Sequence, residues 1–241
     1  MQYCTIVALY IRLYINQNRW CFPAFFILYS LLFICSIRLM YKLNKSNPGY
    51  LKDDLQSKYS RYCEKCQKNF PLRSKHSKLS NRCVASFDHE CNLLNVEIGE
   101  KNRGKFIIFL VLESFFHFLT FLITLMSNPN TEKEKVIEFW AKRADSFICA
   151  ISSFFFAVIL LFLTIQHLNM IYNNILQYET YKGKKLDYIK EYGEDCFDQG
   201  YIANFLAFFS FTEGFLEWVP YQRRKEKRWW EKIFENEYWS C

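Results

Sequence analysis

Three stretches of this chain are too long and too apolar to fold as ordinary surface helices. Trp20 to Tyr41, Phe106 to Met126 and Phe147 to Ile171 each run for about 20 residues or more, the length of helix needed to cross a hydrocarbon core. The first carries one charge, Arg38, near enough to its end to snorkel. The second carries Glu113 and His117, which at i, i+4 share one helical face and are expected to make a polar helix–helix contact away from lipid. His167, near the end of the third, reads as an interfacial or structural histidine. A fourth segment, Tyr3 to Ile15, is shorter and contains Arg12. It is taken as a tilted or thinned span rather than an interfacial helix or the remnant of a longer one, and without a basic leader or small-residue cleavage site it does not resemble a removable signal peptide. The mean hydropathy of -0.11 therefore averages two solvents, membrane and water.

Charge gives the orientation. The loop Lys42 to Lys105 carries 14 Lys+Arg and the tail from Tyr172 carries 10, against 4 in Ser127 to Asp145 and one in Asn16 to Arg19. Basic loops stay in the cytosol, so the long loop and the tail are expected there together. The net charge of +7 is then explained by this rule and by anionic headgroups. No basic stripe interleaved with aromatic residues points to nucleic acid. The expected fold is an all-α membrane protein with four transmembrane helices, the first one short, and a small zinc-stabilised cysteine-rich domain between helices 2 and 3. Its parts are residues 1–41 (helices 1 and 2), 42–105 (cysteine-rich domain), 106–171 (helices 3 and 4) and 172–241 (cytosolic tail). In the tail, Phe205 to Phe211 is too short to span and suits a segment lying on the membrane or packed beneath it. Arg223 to Trp230 suits an interfacial anchor, and Cys196 and Cys241 read as ordinary cytosolic thiols.

Four of the ten cysteines, Cys63, Cys66, Cys83 and Cys91, fall in the loop assigned to the reducing cytosol, where metal or thiol chemistry is favoured over disulfides. Cys63 and Cys66 form a C-x-x-C pair followed by His76 and Cys83. Together they make three thiolates and one imidazole, a complete tetrahedral set for one structural zinc in a stretch too polar to build a core. Cys91 is left over, in Asp88-His89-Glu90-Cys91. A carboxylate that orients an imidazole, and an imidazole that takes a thiol proton, would make Cys91 a nucleophile. Equally, His89 and Cys91 could be further zinc ligands, and these residues alone leave both readings open.

The segment as a whole resembles the DHHC family of protein S-acyltransferases, whose pattern is C-x2-C-x9-H-C-x2-C-x2-C-x4-D-H-H-C-x5-C. Cys63, Cys66, His76, Cys83, Asp88, His89 and Cys91 stand at that spacing. Asn47-Pro48-Gly49 resembles the family's Asp-Pro-Gly, and Gly99, Asn102 and Phe106 match its G-x-x-N-x-x-x-F run. Asn174 and Glu179 match the ends of N-x-T-T-x-E, and Phe197, Asp198, Gly200 and Asn204 resemble its aromatic-D-x-G-x-x-x-N motif.

The resemblance implies a four-span enzyme that moves a long acyl group, such as palmitate, from acyl-CoA to Cys91 and then to cysteines of membrane-associated protein substrates. His89 would be general base and Asp88 its orienter, completing the catalytic set. Zinc would be held by Cys63, Cys66, His76 and Cys83. The acyl chain would lie between the spans, where Phe115, Phe118 and Phe154 to Phe156 could line a cavity. The CoA phosphates would meet Lys101, Arg103 and Lys105, which also read as simple membrane anchors. The expected setting is an endomembrane, ER or Golgi, with the plasma membrane as the alternative; an accessory subunit is compatible with it.

The departures from the pattern are themselves patterned. The family's second zinc ligands correspond to Ser77, Ser80, Glu90 and Glu97, so one zinc is expected, with hydrogen bonding among these four in place of the other. Glu90 beside the nucleophile is expected to raise its pKa. The family's Pro-Trp is Asn92-Leu93, and its two threonines are Leu176 and Gln177, whose side-chain amide could replace a hydroxyl donor to Asp88. The alternative is a catalytically impaired membrane scaffold or regulatory partner.

Overall fold

The structure is a computed structural model, and it describes residues 22–55, 57–126, 144–209 and 218–220. Three long helices, α1 (Phe22–Asn44), α2 (Arg103–Met126) and α3 (Ala144–Tyr172), correspond to the three apolar runs. Within them Ile27–Asn44, Arg103–Leu125 and Ser146–Tyr172 are long and apolar enough to cross a membrane. The fourth expected span, Tyr3 to Ile15, lies outside the described residues, as do nearly all of the loop Ser127 to Asp145, the basic-aromatic stretch Arg223 to Trp230, and Cys241.

The helices present most of their large apolar side chains outward and keep polar ones between them. The Tyr29 and Thr120 hydroxyls lie 3.1 Å apart across α1 and α2. Ser36 donates to Glu113, and His117 Nε2 lies 3.8 Å from the Glu113 carboxylate, so the expected i, i+4 pair forms and reaches a neighbouring helix as well.

Between α1 and α2 the chain makes three antiparallel hairpins: β1 (Ser60–Cys63) with β2 (Lys68–Pro71), β3 (Lys75–His76) with β4 (Cys83–Val84), and β5 (His89–Cys91) with β6 (Val96–Ile98). Strands this short do not persist alone in water, so their order has to come from what they enclose. The first turn uses Gln67 and the second Asn81, both in the left-handed region, with φ of 53° and 56°.

Asn102 clamps the end of the third hairpin to the end of α1, and Asn47 shapes the turn that follows α1. Asn47 Oδ1 accepts the Gly49 and Tyr50 amides at 2.8 and 2.9 Å. Asn102 Oδ1 accepts the Gly99 amide at 2.9 Å while its Nδ2 donates to Glu97 O at 2.8 Å and Ser46 Oγ at 3.1 Å. Gly99 sits where these segments touch: a Cβ there would lie 2.7 Å from Pro48 O and 2.9 Å from Ala85 O, so only glycine fits.

After α3 come α4 (Gln177–Lys182), α5 (Asp187–Tyr192) and α6 (Tyr201–Phe209). The last exposes Tyr201, Ile202, Phe205 and Leu206, the face expected to lie on a membrane. Asn204 fastens its start, donating to Tyr172 O at 2.7 Å and Asp198 Oδ1 at 2.8 Å. One apolar core joins the ends of the three spans to the third hairpin. Leu43, Phe106, Ile107, Leu110 and Ile171 are buried with Val96 and Ile98, and Cys91 packs against them.

Candidate active site and metal centre

The first two hairpins close on a four-atom cluster. His76 Nδ1 lies 3.3 Å from Cys66 Sγ, 3.8 Å from Cys63 Sγ and 3.9 Å from Cys83 Sγ, and Cys66 Sγ lies 3.6 Å from Cys83 Sγ. A tetrahedral zinc with sulfur at about 2.3 Å and nitrogen at about 2.0 Å requires ligand–ligand edges of about 3.5–3.8 Å, so the side chains fit that ion as they stand. His76 Nε2 is 3.0 Å from Asn81 Oδ1, a contact that leaves Nδ1 free for the metal by holding the proton on the other nitrogen. Asn81 was not anticipated from the sequence; its place in the turn between His76 and Cys83 is the signal that could have found it.

The third hairpin carries His89 and Cys91, the candidate catalytic pair. Along β5 successive side chains alternate in direction, so His89 and Cys91 share one face and Glu90 takes the other. His89 Nδ1 lies 2.9 Å from Asp88 Oδ2, and Asp88 Oδ1 accepts the backbone N–H of Gln177 at 2.7 Å. It is the main chain of Gln177, and not its side-chain amide, that takes the hydroxyl's place, because α4 begins there with its first amides unpaired. His167, read from the sequence as a bystander, reaches the same group: its Nδ1 is 3.9 Å from Asp88 Oδ2, and its ring and that of His89 both stand edge-on to Phe106.

These contacts set the charges. Burial would favour neutral forms throughout. Against it, the hydrogen bonds to Asp88 and Cys91 push His89 up to about 9, and His89 in turn holds Asp88 below its ordinary value. Burial also opposes ionisation of Cys91, yet its hydrogen bond with His89 and the Leu94 and Leu93 amides bring the thiol below its usual pKa. The expectation that Glu90 raises this pKa is thus corrected: Glu90 points away from the sulfur. It pairs across the hairpin with Glu97, and Ser77 Oγ lies 2.9 Å from Glu90 Oε1 and 2.8 Å from Glu97 Oε1. Tyr50 donates to Glu97 Oε2 at 3.0 Å. Although burial opposes it, the hydroxyls of Ser80, Ser77 and Tyr50 hold the Glu97 carboxyl below its usual value.

The largest surprise is Arg73, whose side chain is fully buried. Its fork takes both oxygens of Glu179, with Nε at 2.9 Å and Nη2 at 2.6 Å, while Nη1 and Nη2 reach Asn174 Oδ1 and O, each at 2.9 Å. The guanidinium stacks 4.5 Å over Phe197 and 4.7 Å over Trp218. Glu179 also accepts the Leu176 amide at 2.8 Å, fixing the start of α4 and with it the Gln177 N–H on Asp88. No local pattern marks Arg73, since its partners lie about a hundred positions away in sequence.

Of the three residues expected at CoA phosphates, Lys101 and Lys105 are half-buried, but Arg103 is enclosed. It donates to Ala207 O at 3.0 Å and stacks on Phe208, so it fastens α6 and does not face solvent. Cys196 is buried among Tyr188, Phe197 and Trp218, which pushes its thiol up to about 12. A groove of about 450 Å³ between α2 and α3 is lined by Phe115, Phe118 and Phe154 with Ala157 and Val158; of the other aromatics expected in a cavity, Phe156 lies tilted against His117 instead, ring centroids 5.3 Å apart.

A Cys/His cluster with the spacing of a metal knuckle, next to a cysteine packed at the ends of apolar spans, defines a membrane protein with a cysteine-rich domain. The DHHC palmitoyltransferase family model matches residues 56–184, more than half of the chain, and the chain belongs to that family. Putative ZDHHC-type palmitoyltransferase 7 of Dictyostelium discoideum is 28% identical over 202 residues, covering 78% of this chain and 44% of that protein. Palmitoyltransferase AKR1 of Mortierella alpina is 53% identical over 51 residues, 21% of this chain and 9% of its own length. Palmitoyltransferase SWF1 of Yarrowia lipolytica is 30% identical over 108 residues, 41% of this chain and 28% of its own. The chain thus spans less than half the length of these relatives.

Proposed function

We propose that this integral membrane protein is a protein S-acyltransferase working by two transfers through Cys91. The observation that carries the reading is the position of Cys91, hydrogen-bonded with an Asp88-held His89 and packed against the core that joins the ends of three spans. There a soluble CoA headgroup and a lipid-dissolved chain can be served at once.

The Cys91 thiolate attacks the thioester carbon of a long-chain acyl-CoA. The bond from carbon to the CoA sulfur breaks, and CoA leaves with the proton that His89 holds. A substrate cysteine then gives its proton to His89 and attacks the acyl-Cys91 carbon, releasing the Cys91 thiolate. Asp88 keeps the His89 ring oriented throughout, held by the Gln177 amide. The acyl chain would be accommodated along the spans, and Lys101 and Lys105 are the candidates for CoA phosphate contact. Protein substrates would be membrane-associated, in the endomembranes.

The tetrad Cys63, Cys66, His76 and Cys83 would hold one structural zinc, which braces the hairpins and takes no part in the chemistry. The Ser77–Glu90–Glu97 hydrogen bonds support loss of the family's second zinc. The purified full chain should retain close to one zinc per molecule after a mild chelator; retention of two would contradict this part. Incubated with palmitoyl-CoA, it should form a hydroxylamine-sensitive acyl adduct that Cys91→Ser abolishes and His89→Ala slows by about 10²–10⁴-fold. An unlabelled wild type with full zinc content would favour the scaffold alternative.

A further inference from the structure

Behind the catalytic pair lies a set of groups that neither the acyl transfer nor the structural zinc employs as a whole. Asp88 and His89 come from the start of the third hairpin, His167 from the end of α3, and one ligand atom from each lies within 4.8 Å of the others. Both imidazoles turn Nδ1 toward a single oxygen, Asp88 Oδ2, at 2.9 Å from His89 and 3.9 Å from His167. The second gap is too long for a hydrogen bond. The edges of a tetrahedral site with nitrogen and oxygen ligands at about 2.0–2.1 Å are about 3.3 Å, between these two distances. Packing against Phe106 holds both rings edge-on, and the carboxylate is almost wholly enclosed.

We propose that Asp88, His89 and His167 form a second zinc-binding site, distinct from the cysteine tetrad, through which added zinc inhibits the enzyme. Two imidazoles and a carboxylate suit zinc, with water completing the coordination. The inhibitory mechanism follows from the proton count of a neutral imidazole. The ring of His89 has one proton, and Nδ1 faces Asp88, so Nε2 is the nitrogen able to take a thiol proton from Cys91. When the Nδ1 lone pair binds zinc, the ring's proton resides on Nε2, and the ring can no longer act as a base. The ion would also tie the hairpin to α3. The inhibitory consequence rests on the acyltransferase reading above; the binding itself does not.

The test uses the purified full chain with its tetrad already filled. Equilibrium binding of added zinc, and the visible absorption of added Co²⁺, report the site without reference to activity. One further ion should bind, with a cobalt spectrum lacking the near-ultraviolet thiolate band. Palmitoyl-CoA labelling of Cys91 should fall in parallel with occupancy. His167→Gln and the more conservatively packed His167→Phe, each checked for intact tetrad zinc, should weaken binding at least tenfold and raise the zinc concentration needed for inhibition equally. Cys91→Ser should bind the ion as before. The proposal is overturned if no further ion binds, if both His167 variants bind it as tightly as the wild type, or if Cys91→Ser abolishes binding, which would place the ion on the nucleophile. Binding that follows these expectations in a chain that never labels would sink the acyltransferase reading and leave the site standing.

Discussion

At the scale of single residues, His89 and Asp88 set a pH window. The folded pKa of His89 lies near 9 against about 6.5 for a free histidine, so its interactions contribute fully below about 6.5 and fade as pH rises through 9. Asp88 is shifted the other way: its contribution is present above about 3.9 and is lost as pH falls further. Thermal unfolding followed with a mild chelator present should therefore be most resistant between about pH 4 and 6.5 and should weaken toward pH 9. Asp88→Asn should flatten the alkaline limb; an equally steep limb in that variant would show that another group is responsible. The grouping of Asp88, His89 and Cys91 was legible because the three lie within a few residues of one another. His167 was not, because a histidine in a span gives no sequence sign of which carboxylate it will face.

At the scale of elements, the spans could be read from hydropathy, since each is its own signal. The three hairpins could not. Their strands are two to four residues long, too short for an alternating pattern to show, and what orders them is the Cys/His cluster at the first two and the core around Val96 and Ile98, with the Asn102 bonds, at the third. The motif positions Asn102, Gly99, Asn174 and Asn204 were visible as letters, but their physical roles as backbone clamps emerged only in three dimensions. The link from Arg73 to Glu179 is the joint between the cysteine-rich loop and the segment after α3. Arg73→Ala should strand a buried carboxylate and cost about 3–5 kcal/mol, the usual penalty for breaking a buried pair. Arg73→Lys keeps the charge and loses the fork, so it should remain folded while Cys91 labelling slows. Wild-type unfolding temperature and labelling in Arg73→Ala would argue against the joint.

At the scale of the whole molecule, the loop and the post-span segment pack as one body on the ends of the helices, which requires both to lie on one side of the membrane. Basic residues concentrate in the same two regions. Cysteines introduced at Lys65 and Lys184, in a functional background, should react with a membrane-impermeant maleimide from the cytosolic face of sealed vesicles. Reaction from opposite faces would dismantle the proposed orientation.

The Arg73 joint also bears on how the protein is made. Asp88 meets the Gln177 amide across 89 positions and Arg73 meets Glu179 across 106, with two membrane crossings in between. A ribosome therefore delivers Asp88 long before the amide that it accepts. Until α3 is in place and the segment behind it has docked, Asp88 lacks its amide donor, so the carboxylate that orients His89 is fixed only late in synthesis.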